Sequence, residues 1–279
     1  ITLTILTSYA EPAGSAVLNS SGAGSASYTD VTIAPATTGV VVTGTTVAGR
    51  GVIELNGADN VTINGDAPGG GANDRDLTIT NAAAATTGYT SVIRLAHSTL
   101  VTSTDNVTIR NCILNGSATG QNSSLITSTT SAANTTYGIL NGGGASTVSA
   151  TTAPSAITSV STTVPGGQTS AAFMVINNAI DACARGIALQ GSATSVVPVL
   201  TVTDNTIGSS APGSATTVYS KGMTLQGFGS ATIARNTIRN IESYLSTSVQ
   251  GIGLGEVSAS GTLAVVEGNS IFNVYSQNT

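Results

Sequence analysis

The sequence predicts an all-β solenoid, in which short parallel strands wind into stacked coils, and three observations lead to this prediction. A two-part pattern from Lys221 to Ile241 joins a Gly-Met-x-Leu-Gln-Gly strand to an Ala-x-Ile-x-x-Asn-x-Ile corner. The pattern recurs, with small changes, between Arg185 and Ile207 and between Gln250 and Ile271. Charged residues make up only 8% of the 279 residues and aromatic residues 4%, as suits a thin β-rich shaft. Internal repetition of this length indicates units that share one stacked core.

The spacing of one asparagine in each repeat favours coils of strands over pairs of helices. The four residues of this set are Asn178, Asn205, Asn236 and Asn269. They are separated by 27, 31 and 33 residues, which suits a coil with loops of variable length. Strands of about five residues, whose side chains alternate between two faces, bury their inner face only when such coils stack.

The asparagine at each corner predicts a structural ladder. Asparagine adopts the left-handed backbone conformation more readily than other residues with a Cβ atom. Its side-chain amide both donates and accepts, and the equivalent residue of the next coil lies about 4.8 Å away. Four such residues in register predict a column of hydrogen bonds, and we favour this interpretation over a ligand site.

The asparagine corners, the Gly-Ile-x-Leu strands and the segment Val107 to Leu114 resemble the right-handed parallel β-helix superfamily. This fold is that of pectate lyases, phage tailspikes and many secreted bacterial surface proteins, and the last group is closest in character to this chain. The resemblance covers about Tyr28 to the end of the chain. It implies a right-handed parallel β-helix with asparagine-ladder corners, and it is specific for fold rather than for activity.

The resemblance also implies what an enzyme of this fold would contain. A lyase would need calcium-binding carboxylates on consecutive coils and a basic proton acceptor, and a galacturonase-like hydrolase would need paired aspartates and a Gly-His-Gly element. The carboxylates of the regular coils stand at unlike repeat positions, and His97 has no flanking glycines. We therefore expect no catalysis. The alternative is a β-helix protein that binds carbohydrate or degrades polysaccharide as a lyase or hydrolase.

Charge and hydropathy exclude two classes of partner. The net charge is −5 and the eight Lys and Arg residues are dispersed, whereas nucleic acid requires a basic patch. The sequence contains no run of about 18 apolar residues, so it predicts no membrane-spanning helix. We expect residues 1–50 to form an irregular first coil or cap and residues 51–279 to form the β-helix. A low-complexity loop insertion falls at about 117–172.

The densest acidic group lies in a glycine-rich loop and is the candidate calcium site of a chain for which no other cofactor is expected. Asp66, Asp74 and Asp76 belong to this loop, and Glu54 and Asp59 precede it in sequence. Calcium binds carboxylate oxygens that flexible loops present. The alternative is a solvated turn, in which Asp and Asn side chains accept hydrogen bonds from local backbone amides.

The two cysteines are expected to be free and buried. If Ile109 aligns with Val202, Cys112 takes the ladder position, where a small buried side chain replaces asparagine. Cys183 lies five residues beyond Asn178, so the two cysteines are out of register and no disulfide is implied.

Stacking predicts contacts between charged residues at equivalent positions. Asp204 and Arg235 form a surface ion pair worth at most about 1 kcal/mol. Arg185 and Lys221 place two cations about 5 Å apart, separated either by solvent or by a polyuronate carboxylate. His97 has no nucleophile or carboxylate beside it in sequence and is expected to be a turn histidine.

Together these features predict an extracellular or cell-surface protein with a structural or adhesive role, as a shaft or fibre subunit or as a segment of a larger surface protein. The insertion is expected to carry recognition, or to be a disordered or glycosylated decoration. The chain starts without a methionine and ends after an apolar strand, so we expect a processed or truncated form. The ends of the helix would then contact other copies or neighbouring domains of a longer chain. Surface polysaccharide is a further candidate partner.

Overall fold

The computed structural model describes residues 1–11, 14–23, 26–84, 87–97, 103–117, 136–142, 156, 170–191, 196–214, 216–243, 249–255 and 263–276. All regular secondary structure in these residues is β. The strands are β1 (Thr2–Ile5), β2 (Tyr9–Ala10), β3 (Ala16–Asn19), β4 (Val31–Pro35), β5 (Val40–Gly44), β6 (Gly51–Asn56), β7 (Val61–Asn64), β8 (Leu77–Asn81), β9 (Ser91–Ala96), β10 (Val107–Arg110), β11 (Cys112–Asn115), β12 (Tyr137–Asn141), β13 (Ala172–Ile176), β14 (Ala179–Asp181), β15 (Arg185–Gln190), β16 (Val197–Thr203), β17 (Thr206–Ile207), β18 (Lys221–Gln226), β19 (Phe228–Ala234), β20 (Thr237–Ser243), β21 (Gln250–Leu254), β22 (Leu263–Glu267) and β23 (Ser270–Ser276).

The strands form three parallel sheets along the length of the molecule. Sheet A contains β1, β4, β7, β10, β13, β16, β19 and β22; sheet B contains β2, β5, β8, β11, β14, β17, β20 and β23. Sheet C contains β3, β6, β9, β12, β15, β18 and β21. Each coil gives one strand to each sheet in turn, so coil 1 is β1 to β3 and coil 7 is β19 to β21. The predicted right-handed parallel β-helix is confirmed, and the strands of residues 1–50 continue the same three sheets.

Columns of equivalent apolar side chains fill the interior. One inward column of sheet A consists of Ile33, Ile63, Ile109, Val175, Val202, Ile233 and Val266. One column of sheet C consists of Ile53, Ile93, Ile139, Ile187, Met223 and Ile252. The members in the middle coils are almost completely buried. Each such side chain contributes about 1.5–3 kcal/mol of hydrophobic stabilisation, which a lone coil would not obtain.

The glycine of the Gly-x-x-Leu strands allows sheets B and C to approach each other closely. A Cβ atom at Gly186 would lie 2.6 Å from the Gly222 carbonyl oxygen and 2.7 Å from the Ile207 Cγ2 atom. A Cβ atom at Gly222 would meet the Gly251 oxygen and the Ile238 side chain at the same distances. The repeated glycine is therefore a packing requirement of this corner.

The predicted asparagine ladder lies at the corner between sheets A and B. Asn178 Nδ2 donates to Asn205 Oδ1 at 3.0 Å, and Asn205 Nδ2 donates to Asn236 Oδ1 at 3.0 Å. Asn236 Nδ2 continues the column to Asn269 Oδ1 at 2.9 Å. Asn205 Nδ2 also donates to the backbone oxygen of Val175 at 2.9 Å, so each amide holds backbone as well as side chain.

The left-handed conformation falls one residue before the ladder, and not on the ladder asparagine as the sequence suggested. At the corners between sheets A and B of coils 4 to 8, the residues with positive φ are Asn111 (59°), Asn177 (52°), Asp204 (62°), Arg235 (55°) and Gly268 (60°). A ladder side chain has to point into the coil to reach the carbonyls of its neighbours. The reversal of the chain is therefore made by the preceding residue, whose side chain points outward.

Replacing a ladder asparagine with alanine should destabilise the whole helix. In Asn205→Ala, buried donors and acceptors of three coils lose their partners, and we expect a loss of about 2–4 kcal/mol in the free energy of unfolding. Urea denaturation measures this loss. Thr201→Ala, an outward-facing substitution in the same coil, is the matched control and should stay within about 0.5 kcal/mol of the wild type. Equal stability of the two variants would show that the ladder does not contribute to the stability of the helix.

Candidate functional site

The acidic loop between β7 and β8 uses its carboxylates on its own backbone. Asp76 Oδ2 accepts a hydrogen bond from the Ala67 amide at 3.0 Å, and Asp74 Oδ2 accepts one from the Gly71 amide at 2.6 Å. Among the described residues, no three His, Cys, Asp or Glu side chains are grouped so that they could hold a metal ion. The contacts are those of a solvated turn, and calcium binding stays a prediction.

Arg75 attaches this loop to a coil two positions away. Its Nε atom donates to the Asn177 carbonyl oxygen at 2.9 Å, and its Nη2 atom donates to Asn177 Oδ1 at 2.9 Å. Asn177 Nδ2 returns a bond to the Asn73 carbonyl oxygen at 2.8 Å, while the Asn73 amide lies 3.4 Å from Asp66 Oδ2. Partial burial lowers the pKa of Arg75. The loop is thus held in place by side chains of the protein itself.

Glu54 and Asp59 face away from the acidic loop. Glu54 is completely buried in sheet C, where its carboxylate forms ion pairs with Arg50 and, at 3.1 Å, with Arg94. Burial lowers the pKa of Arg94, and Glu54 partly offsets this effect. Asp59 Oδ1 accepts a hydrogen bond from the Asp105 amide at 2.9 Å. Neither carboxylate complements a calcium site in the loop.

Because backbone amides already occupy these carboxylates, we expect the loop to keep its structure without a cation. Chelation with EDTA should leave the exchange rates of the Ala67 and Gly71 amide hydrogens unchanged, as measured by NMR. The Asn205 amide, far from the loop, is the internal control. Slower exchange of the loop amides on addition of calcium, with no change at Asn205, would instead establish the calcium site at Asp66, Asp74 and Asp76.

The two cysteines are free and buried. Cys112 lies in line with the ladder, and its amide donates to Asn178 Oδ1 at 3.0 Å, while its Sγ atom lies 3.1 Å from the Arg110 carbonyl oxygen. Burial raises the pKa of the Cys112 thiol to about 12 and also raises that of Cys183. Both thiols therefore stay protonated near neutral pH, and neither is poised as a nucleophile.

His97 directly follows the end of β9, and its side chain is only 1% exposed. Its Nε2 atom lies 2.7 Å from Asn141 Oδ1, and its Nδ1 atom lies 3.4 Å from the Thr104 amide. An acceptor at Nδ1 and a donor at Nε2 describe a neutral imidazole. Burial lowers its pKa to about 4. Residues 103 and 104 return over the strand end, which sequence distance did not reveal.

His97 predicts a loss of stability in acid. Its pKa is about 6.5 in an unfolded chain and about 4 in the folded protein, so the unfolded state binds more protons between these values. Neutral His97 makes its full contribution to the free energy of unfolding above pH 6.5. This contribution falls by up to about 3 kcal/mol as the pH falls to 4. His97→Gln keeps an amide that donates to Asn141 and should remove this pH dependence of stability. Urea unfolding at about pH 4.5 and pH 7 measures the difference.

Asp181 titrates in the opposite sense and has to be controlled. Burial raises its pKa from 3.8 to about 6, so its contribution to stability decreases as the pH rises between these values. The effect of His97→Gln should therefore be measured in an Asp181→Asn background as well. Parallel stability profiles with and without His97 in both backgrounds would contradict the assignment.

The predicted contacts between charged residues on neighbouring coils are present. Arg235 Nε and Nη2 donate to the two carboxylate oxygens of Asp204 at 2.7 and 2.8 Å, and these bonds lower the pKa of Asp204. Arg185 and Lys221 are register partners. The Arg185 guanidinium carbon lies 6.0 Å from the centre of the Tyr137 ring on the preceding coil, so Arg185 has a partner without a bridging carboxylate.

At the two ends of the described helix, side chains are exposed whose equivalents in the middle coils belong to the core. Leu3 of the first coil is 46% exposed, and Val266 and Ile271 of the last coil are 48% and 47% exposed. Ile233 and Ile238, which are the register partners of Val266 and Ile271, are completely buried. At the first coil the open core forms a cavity of about 620 Å³, whose lining combines apolar residues of β1 to β4 and β6 with three threonines and Glu11. These two ends are the candidate interaction surfaces.

Fold and ends together define a right-handed parallel β-helix with an apolar surface at each end. The described residues include no helix long and apolar enough to cross a membrane. Comparison of the chain with protein families, with curated proteins and with solved structures gave no match.

Proposed function

We propose that this protein is an extracellular or cell-surface structural shaft, a subunit or segment of a fibre that carries loops and performs no catalysis. The observation that carries the proposal is the exposure of core-facing side chains at both ends of an otherwise closed helix. The proposal includes membership of the right-handed parallel β-helix superfamily, for which the fold and the ladder are the support.

A mechanical role follows from how the coils are connected. Every strand of a middle coil pairs with a strand above and a strand below, and the ladder ties the corners of four successive coils. Bending such a rod would separate ladder and backbone hydrogen bonds on one side while compressing a packed core on the other. The low content of charged and aromatic residues, 8% and 4%, suits a spacer better than an aromatic-lined binding pocket.

End-to-end contact supplies what the terminal coils lack. Among the described strands, the last ones of sheets A and B, β22 and β23, have one edge without a pairing strand, as do β1 and β2 at the other end. Strand addition between β22 of one copy and β1 of the next would continue the sheet and cover Val266 and Leu3. Because the two surfaces differ, the contact is head-to-tail and repeats without closing. Further coils of a longer chain would occupy the same surfaces.

The proposal is tested by one pair of variants on the last strand of sheet A. Val266 faces the core and Val265 faces outward, yet their side chains are 48% and 45% exposed. Val266→Lys places a charge inside the end contact and should leave single short rods. Val265→Lys carries the same charge outside the core and should assemble as the wild type does. Light scattering over a range of concentrations and negative-stain electron microscopy measure the length of the particles.

Two results would contradict the proposed assembly. The first is a wild-type protein that stays a monodisperse monomer at high concentration. The second is equal assembly of the two lysine variants, which would place the contact elsewhere than on the open core of the last coil.

A further inference from the structure

A cleft of about 680 Å³ opens where the strands of sheet B end on coils 3, 4 and 5. Thr80, Asn115 and Asp181 are register partners on β8, β11 and β14, so they form one row of side chains along its edge. Asn81, Ser117 and Thr216 complete the polar lining, while neighbouring alanines supply apolar surface. Asp181 is the one ionisable group among the described residues that line it.

Asn81 presents an unused hydrogen-bond donor to this cleft. Its side chain is only 2% exposed, and its Oδ1 atom accepts from Thr46 Oγ1 and from the Ala83 amide, each at 3.1 Å. These two bonds fix the orientation of the amide. Its Nδ2 atom is buried and has no hydrogen-bond partner. A buried donor without a partner costs about 1–3 kcal/mol, so this position invites an acceptor from outside the chain.

Asp181 presents an incompletely compensated acceptor to the same cleft. Its Oδ1 atom accepts from the Ala182 amide at 3.0 Å. Burial raises its pKa to about 6, although Ala182, Arg239 and Thr216 act in the opposite direction. The ladder corners satisfy their amides within the protein, whereas here the Asn81 donor on coil 3 has no partner and the Asp181 carboxylate on coil 5 can accept further hydrogen bonds.

From this pairing we infer a binding site for a neutral polyhydroxylated ligand of the size of one sugar ring. Asn81 lacks an acceptor and Asp181 can accept from a further donor, and a hydroxyl group is both donor and acceptor. The backbones of β8 and β14 are two strand spacings apart, about 10 Å. After allowance for the two side chains, a ring with hydroxyls at both ends spans this distance better than a single alcohol. The ligand class is therefore a neutral sugar or cyclic polyol.

Other classes of ligand fit the cleft less well. An anion would be repelled by the Asp181 carboxylate, and a cation would face the Asn81 N–H donor. No aromatic residue belongs to the described lining, so binding by ring stacking is not available. Recognition then rests on hydrogen bonds, as neutral hydroxylated ligands require. This site lies on the side of the helix and does not depend on the end contacts proposed above.

The test is an NMR titration of the full chain with D-glucose, D-galactose and myo-inositol, and with D-glucuronate and D-glucosamine as charged counterparts. At least one neutral compound should shift the Asn81 side-chain amide and the Gly116 and Ala182 backbone amides in a saturable manner. A neutral trisaccharide extends the series: tighter binding of the trisaccharide marks a glycan as the source, and tighter binding of the monosaccharide marks a free sugar. Either result supports the site.

Asp181→Asn should weaken binding at least about tenfold, because a hydrogen bond to a charged acceptor is lost. Its Oδ1 atom still accepts from Ala182, which preserves the turn. Asn81→Asp, which keeps the acceptor for Thr46 and Ala83 but removes the donor, should weaken binding in the same way. Asp204→Asn, the same change on another corner, is the matched control and should bind as the wild type does.

Three outcomes would overturn the inference: no saturable shift with any neutral compound, preferential binding of the charged counterparts, or undiminished binding by Asp181→Asn. Unchanged spectra of the variants outside the cleft establish that each one is folded. Failure of the sugar site would leave the end-to-end assembly untouched, because the two rest on different coils and different measurements.

Discussion

The structure depends on one constraint, which is that a chain turning a tight corner must still pair its backbone with the coils above and below. Asn205 shows how this is met: its amide nitrogen donates to the Val175 and Thr203 carbonyls, and its oxygen accepts from the amide of Asn178. One side chain thus replaces several backbone bonds that the corner interrupts. Because the same residue recurs, the corners align, and the apolar columns align with them.

The same repetition explains why side chains of the first and last described coils are exposed. A middle coil is covered on both sides by its neighbours, so its inward residues are buried without special adaptation. A terminal coil has the same inward residues and lacks one neighbour, which leaves Val266 and Ile271 open. At these inward positions the last coil carries the same kind of apolar residue as the coil before it, since Val266 pairs with Ile233 and Ile271 with Ile238. Exposure at the ends is a property of position rather than of composition.

The sequence predicted best what repeats and predicted least what loops bring together. The ladder and the Asp204–Arg235 pair were accessible because the same short motif marks the corner of each coil in the second half, so register could be aligned from motif to motif. The cleft was not accessible, since Asn81 and Asp181 are separated by the insertion and their strands pair through β11. The burial of His97 was not accessible for a related reason, because its contact with Thr104 depends on the path of the chain beyond the strand end.

The sequence also could not assign backbone conformation within a corner. Both residues of the Asn177–Asn178 pair are asparagines, and only the first has a positive φ. At the next coils the equivalent residues are Asp204 and Arg235. Aspartate is enriched in the left-handed region, but arginine is not, so residue type alone does not mark position 235 as left-handed. The direction of the ladder side chain decides the matter, and that direction is a property of the stacked coils.

The bond between Arg75 and Asn177 has a consequence for how the rod yields under load. A β-helix pulled from one end gives way coil by coil, since each coil is held only by the next one. Arg75 belongs to the loop of coil 3 and grips coil 5, passing over coil 4. Unwinding that reaches coil 5 therefore has to break this grip as well as the bonds to coil 4. The contact links three successive coils in the middle of the rod, and unwinding under force should pause there before it proceeds.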